Sequence, residues 1–206
     1  MIELENFEKR VSVCTDCALS KTRNTVVSGE GSYTAEVMFV GEGPGFREDQ
    51  EGRPFVGPAG KILDELLELV GMDRSEVYIT NIVKCRPPNN RDPLPDEVEA
   101  CNKHLELQLK LINPSVIVTL GRHSLRKFFP QEIISKSHGK PRKWNNFLVY
   151  PLYHPAAILH QGGGLRKIME NDFKQIPNIL ENCRNQMVPK IATDENPAKQ
   201  LKLFDD

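Results

Sequence analysis

The chain has 206 residues, enough for one domain of ordinary size with a core of its own. Its 28 acidic and 27 basic side chains leave a net charge of −1, which excludes a globally basic nucleic-acid-binding field, and no apolar run reaches the roughly 20 residues of a membrane span. The start, Met1-Ile2-Glu3-Leu4-Glu5, carries no basic, apolar export signal, so a cytoplasmic protein without a membrane partner is expected, whose five cysteines point to metal or cluster ligation before disulfides.

Residues 5–13 are predicted as a short helix leading into Cys14-Thr15-Asp16-Cys17, and residues 18–35 as polar connection. The first core strand is the apolar run Val37-Met38-Phe39-Val40, which stops at Gly41-Glu42-Gly43-Pro44-Gly45. A charged loop follows, closed by Gly52-Arg53-Pro54-Phe55-Val56-Gly57. Residues 59–70 read as an amphipathic helix, with Ile62, Leu63, Leu66, Leu67 and Val70 on one face and Gly71 ending it. A second strand over 77–83 runs into the loop 84–93, stiffened by Pro87, Pro88 and Pro93. The next helix starts at Pro95, has Asp96 and Glu97 in its first turn, carries Cys101 and runs to about residue 113. A third strand over 115–120 ends at Gly121 and is followed by a short helix to about residue 129. Residues 130–146 form a basic loop, and residues 147–152 a fourth strand that ends in Tyr153-His154-Pro155-Ala156-Ala157-Ile158-Leu159. After a glycine run at 162–164, a last helix over 165–180 is broken at Pro177. The domain therefore covers residues 1–186, and 187–206 form a flexible tail.

Alternating strands and helices predict an α/β fold: a single domain with a central, mainly parallel four-stranded sheet and helices on both faces. In such a sheet the carboxyl ends of the strands share one edge, where ligands bind. Glu42, Asn81, Gly121 and His154 each fall at or just past a strand end. An acid, an amide, a backbone glycine and an imidazole delivered to one crevice is the main site signal; singly, each is an ordinary turn or structural residue. The glycines at 41, 43 and 45 do not make a dinucleotide fingerprint, because the third comes a residue early, Pro44 removes an amide and the helix starts about a dozen residues later. Residues 121–143 hold seven basic side chains against Glu132 alone, a patch that suits DNA or a solvated surface equally.

Cys14-x-x-Cys17 has the spacing of a metal or cluster grip, and Cys85 and Cys101 complete a set of four thiolates. Structural zinc, an iron–sulfur cluster and, for Cys85 and Cys101, simple burial all remain open readings. Cys183 is left over.

Taken together, the motifs resemble the iron–sulfur uracil-DNA glycosylases, the family-4 type described mainly from archaea and thermophilic bacteria. The likeness spans roughly residues 10–181. It is carried by Cys14-x-x-Cys17, Gly41-Glu42-x-Pro44-Gly45 with Glu48-Asp49, and Gly52-Arg53-Pro54-Phe55-Val56-Gly57. Thr80-Asn81-x-x-Lys84-Cys85-Arg86-Pro87-Pro88-x-Asn90-Arg91, Cys101 and His154-Pro155-Ala156-Ala157 complete it. The resemblance implies a uracil-DNA glycosylase-like fold, a [4Fe–4S] cluster on Cys14, Cys17, Cys85 and Cys101, and hydrolysis of the bond between uracil and deoxyribose in base excision repair. Its substrate would be uracil-containing DNA, double- or single-stranded, and nothing demands more than a monomer.

On that resemblance Gly41, Glu48, Phe55, Asn81 and His154 bind the flipped base, and Glu42 and His154 are catalytic. Phe55 supplies a stacking face. The Asn81 amide matches O4 and N3–H of uracil and mismatches cytosine. His154 bonds O2, Glu42 positions the attacking water, and Glu48 excludes the thymine methyl. Ile158 or Leu159 is the wedge that fills the duplex, and Pro54, Arg122, His138 and Arg166 touch the DNA backbone. With Lys84 the only lysine in these motifs, a monofunctional enzyme without lyase activity is expected.

Two departures stand out: Gly43 where the family commonly has alanine, expected to matter little, and the less typical pair Phe46-Arg47 before Glu48. The tail Lys199-Gln200-Leu201-Lys202-Leu203-Phe204-Asp205-Asp206 faintly resembles a sliding-clamp binding peptide with an incomplete aromatic pair; the bland alternative is a disordered terminus. The competing functions are a non-catalytic iron–sulfur nucleic-acid-binding module, disfavoured by the intact Glu42, Asn81 and His154 set, and a dinucleotide oxidoreductase, disfavoured by the glycine spacing.

Overall fold

The computed structural model describes residues 2–161 and 163–187. The proposed clamp peptide and almost all of the proposed tail lie outside these residues. In chain order the elements are α1 (Ile2–Ser12), a 3-10 turn (Ala18–Lys21), β1 (Glu30–Gly31), β2 (Val37–Gly41), α2 (Phe46–Glu51), α3 (Pro58–Leu69) and β3 (Tyr78–Asn81). A second 3-10 turn (Pro88–Asn90), α4 (Pro95–Ile112), β4 (Val116–Leu120), α5 (Arg122–Phe128), α6 (Ile134–Ser137), β5 (Arg142–Trp144), β6 (Phe147–Leu152), α7 (Ala156–Gln161), α8 (Gly163–Phe173) and α9 (Ile176–Met187) follow.

The four expected strands are β2, β3, β4 and β6, paired in parallel in the order β3-β2-β4-β6. They read as continuous apolar runs because a parallel sheet is covered on both faces, and β2 and β4 are buried at every residue. Side chains alternate between the faces. Val37 and Phe39 join Leu63, Leu66 and Leu67 of α3, Met169 and Phe173 of α8 and Ile176 of α9 on one side. Met38 and Val40 join Leu105 and Leu109 of α4 and Phe128 of α5 on the other. A small third cluster seats Phe7 and Val11 of α1 against Leu107 and Leu111 of α4.

Two short antiparallel strands extend the expected sheet to six among the described residues: β1 beside β3, and β5 beside β6. β5 lies in the stretch expected as basic loop; it forms because Asn145, at φ 51°, turns the chain back onto β6. The charged loop after Gly45 contains a helix, α2, and the segment after His154 is the helix α7. The break in the final helical stretch comes between Phe173 and Ile176, so that Pro177 sits in the first turn of α9, where its missing N–H costs little.

Candidate active site and cysteine centre

The carboxyl ends of β2, β3, β4 and β6 open onto one cleft of about 750 Å³, with Glu42, Glu48, Phe55, Asn81, Gly121, Arg122 and His154 among its lining residues. Gly41, the last residue of β2, packs so tightly that a Cβ there would overlap Asn81 Oδ1 and stand 2.7 Å from Phe55 Cζ. The bare backbone of Gly41 is what allows amide and ring to meet. Asn81 is buried, and its Oδ1 has no hydrogen-bond partner among the described residues. A buried acceptor without a partner costs about 1–3 kcal/mol, so this oxygen is suited to accept from a donor that a ligand brings.

Phe55 is held in a left-handed backbone conformation, φ 51°, that a bulky residue adopts only under local constraint. The constraint is visible. Glu48 Oε1 accepts the amides of Val56 at 3.0 Å and Gly57 at 2.8 Å, while Arg74 donates to the carbonyl of Pro54. Glu30 in turn binds Arg53 at 2.6 Å and Arg74 at 3.1 Å. Neighbouring Asp49 faces away and accepts from Asn24, which anchors α2 to the N-terminal connection.

His154 lies near-parallel to Phe55, with ring centroids 5.6 Å apart at 26°. Its approach requires Gly121, whose φ is 90° and where a Cβ would come within 2.9 Å of His154 Cβ. The amide of Ala156 donates to His154 Nδ1 at 3.1 Å, which leaves the proton of the neutral ring on Nε2. Burial, aided by His123, pushes the His154 pKa down to about 4 against the pull of Glu48, so the ring is uncharged at neutral pH.

Glu42 is half-buried, and burial first, then the charge of Asp92, push its pKa up to about 7 against Arg122. Beside it, His123 Nε2 stands 3.9 Å from Glu42 Oε2 and 3.2 Å from Asp92 Oδ2. Arg122 ties this group together, donating to His123 Nε2 at 2.8 Å and to Asp92 at 2.7 Å. Asp92 and His123 were not singled out as site residues from the sequence. Their signals were present, since one lies in the proline-rich loop and the other beside Arg122 in the basic segment.

A family model, that of the uracil DNA glycosylase superfamily, matches residues 28–180, which contain every residue of this cleft. The chain belongs to the uracil-DNA glycosylase superfamily. It is 49% identical over 189 residues to a type-4 uracil-DNA glycosylase of Sulfurisphaera tokodaii, covering 87% of this chain and 86% of that one. It is 46% identical to one of Saccharolobus solfataricus, covering 88% of each, and 44% identical to one of Thermotoga maritima, covering 86% of this chain and 95% of the relative.

Other glycosylase site residues expected from the sequence stand apart from the cleft floor. Pro54 is buried beneath the Phe55 turn. His138 Nδ1 lies 2.7 Å from Asp172, with its ring against Tyr153. Arg166 is paired with Glu65 at 2.6 Å and Glu170 at 3.0 Å. On α7, Ile158 packs onto the core while Leu159 is 52% exposed. Gly43 has a reason of its own: a Cβ there would come within 2.8 Å of Val83 Cγ2, so Val83 fills the space an alanine methyl would take.

Cys14, Cys17, Cys85 and Cys101 line a second, small cavity on the α4 side of the sheet, with Arg23 and His104 beside them. Arg23 donates to Cys85 Sγ at 3.2 Å, and the amide of Lys84 to Cys101 Sγ at 3.3 Å. His104 Nε2 lies 3.3 Å from Cys14 Sγ, which itself donates to Asp16. Burial pushes the thiol of Cys101 up to about 11 and raises those of Cys85 and Cys14. Four thiols face one cavity, Cys85 and Cys101 buried and Cys14 and Cys17 half-buried, with N–H donors already aimed at two of the sulfurs, a donor set that a thiophilic metal centre fits. Cys183 belongs elsewhere, half-buried against the α3 side of the core.

Proposed function

We propose that the chain removes uracil from DNA by hydrolysing its N-glycosidic bond and leaves an abasic site, as a monofunctional repair enzyme. The observation that carries this reading is the buried, unpaired Oδ1 of Asn81 between the Phe55 ring and the strand end of Gly41. Uracil N3–H is the donor that completes it, while Asn81 Nδ2 donates to O4. Cytosine offers an acceptor and a donor in the reversed places and would leave both amide groups unpaired.

The base, flipped from the strand, stacks on Phe55. The 5.6 Å between the Phe55 and His154 ring centroids supports an imidazole within reach of a base so stacked. His154 Nε2–H then donates to O2, where negative charge collects as the bond to the sugar breaks, and as a neutral donor it stabilises that charge without being an acid. Glu42, as carboxylate, orients the water that attacks the sugar carbon and receives its proton. Glu48, fixed by its two backbone bonds, stands as the barrier to a C5 methyl. Lys84, the lysine of the motifs, is buried with its amine bonded to three oxygens, which supports hydrolysis without a lyase step.

Leu159 is the exposed wedge, with Ile158 as its anchor in the core. Arg122 is the phosphate contact nearest the cleft; His138 and Arg166 would have to exchange carboxylate partners for phosphate. Cys14, Cys17, Cys85 and Cys101 would hold a [4Fe–4S] cluster with a structural role, tying the segment after α1 to the β3–α4 loop and α4. The proposed partner is uracil-containing DNA, double- or single-stranded, met by a monomer in the cytoplasm. No helix among the described residues is long and apolar enough to cross a membrane.

The test is base release from a labelled oligonucleotide with one uracil, beside cytosine and thymine controls, for wild type and Glu42→Ala. Uracil-specific release that the variant loses is expected. DNA binding with no release from any strand would overturn the catalytic reading in favour of a binding module. Visible absorbance with iron and sulfide content in the purified protein separates the cluster from zinc.

A further inference from the structure

Lys84 is 1% exposed, a depth at which a lysine persists only when its ammonium is fully bonded. Its three N–H groups meet three oxygens: Thr80 Oγ1 at 2.7 Å, the main-chain carbonyl of Asn81 at 2.7 Å and Gln108 Oε1 at 2.5 Å. The cage is itself tied down. Gln108, wholly buried on α4, donates to the carbonyl of Ser28 at 2.7 Å and to Tyr78 Oη at 3.0 Å, and Thr80 donates to the same Ser28 carbonyl at 2.8 Å.

The carbonyl of Asn81 needs such a partner. On one side β3 continues its ladder with β2, whose Gly41 carbonyl accepts from Ile82. On its other side β1 pairs only with Tyr78 and Ile79, so Asn81 has no strand beyond it. Lys84 fills that gap through its side chain, while its own amide donates to Cys101 Sγ at 3.3 Å. One residue thus touches both the strand end that reads the base and the cysteine centre.

We propose that Lys84 is a positioning residue, which through its ammonium fixes the backbone of Asn81 and hence the plane of the amide that discriminates uracil from cytosine. The inference rests on the reading of Asn81 as the base-recognising residue. It also makes the cysteine centre a support for specificity, because the same residue is seated on both.

The test is a double-mutant cycle on single-turnover uracil release, with cytosine release measured alongside. Lys84→Met keeps the length of the side chain and removes its donors. It is expected to slow uracil release about tenfold or more in the wild-type background, and to add less than about twofold once Asn81→Ala is present, because the two act through one contact. The ratio of uracil to cytosine release should fall in Lys84→Met. Equal losses in both backgrounds, or an unchanged ratio, would mean a purely structural lysine and overturn the proposal. Gln108→Leu, seven residues from the nearest cysteine, repeats the cycle; it decides the outcome if Lys84→Met fails to fold or loses visible absorbance. Asn81→Ala alone tests the underlying reading: if it releases uracil at the wild-type rate, the base-recognition role fails first, whatever Lys84→Met does.

Discussion

The base cleft and the cysteine centre come within four residues of each other on the chain, at Asn81 and Cys85, yet they are built in opposite ways. In the cleft three groups are aimed by the chain itself. Asn81 is held by the β2 ladder and Lys84, the His154 tautomer by the Ala156 amide, and Glu48 by two backbone amides. The cysteine centre draws its sulfurs from the segment after α1, the loop after β3 and α4, and burial raises the pKa of Cys14, Cys85 and Cys101. The cleft groups are fixed by protein contacts; a metal bound at the cysteines would have to replace the protons of the thiols. The cleft is assembled along one sheet edge, whereas the cysteines join segments that the α1–α4 packing already brings together.

The sharpest way to break the comparison is at Glu42. Glu42→Gln should slow single-turnover uracil release by about 10²–10⁴ while leaving DNA affinity in place. The wild-type rate should climb as pH rises through about 7, where Glu42 ionises, and the variant should lose that limb. Because the folded-state pKa is raised, Glu42 contributes its full stability below pH 4.5 and loses it as pH rises through about 7. Glu42→Gln should therefore melt higher than wild type at pH 8, with little difference at pH 4; equal melting at both would mean the site is not strained. Next, His154→Ala should cost about 10²–10³ in rate with unchanged melting at neutral pH, since its donor acts on developing charge.

The cysteine centre should fail differently. If the cysteines hold the proposed cluster, Cys101→Ser or chelation of the metal should lower the melting temperature by roughly 10 °C, several kcal/mol at this chain length, and make the segment around Cys14 sensitive to protease. A variant that keeps its melting temperature would show that the centre is not structural. The smallest effect belongs to Leu159→Ala, which should slow release from duplex about fivefold and leave single-stranded substrate untouched, because only the duplex must be unstacked.

What the sequence disclosed follows the same division. β2, β4 and β6 were readable because a parallel strand buried on both faces is a short apolar run with a hard stop. Glu42, Asn81 and His154 were readable because each stands where such a run stops. α2 was hidden: its Phe46–Glu51 sequence is charged, and Glu48 and Asp49 are engaged by bonds to Val56, Gly57 and Asn24, distant in sequence. The Asp92–His123 pair and the cage around Lys84 were hidden for the same reason, since Thr80, Gln108 and Ser28 meet only after α4 has crossed the sheet. β5 carried a usable sign, the Asn145-Asn146 turn between two strand-like stretches, masked by the basic residues on either side.

The two short outer strands also bear on how the protein behaves in a crowded solution. A sheet whose outermost ribbons ran long and flat would offer bare N–H and C=O rows to a neighbour and seed fibres. Here one margin is a two-residue strand, and the other carries Arg142 and Lys143, with Arg142 pinned to Glu132. Both margins thus carry features that disfavour strand-on-strand association between copies.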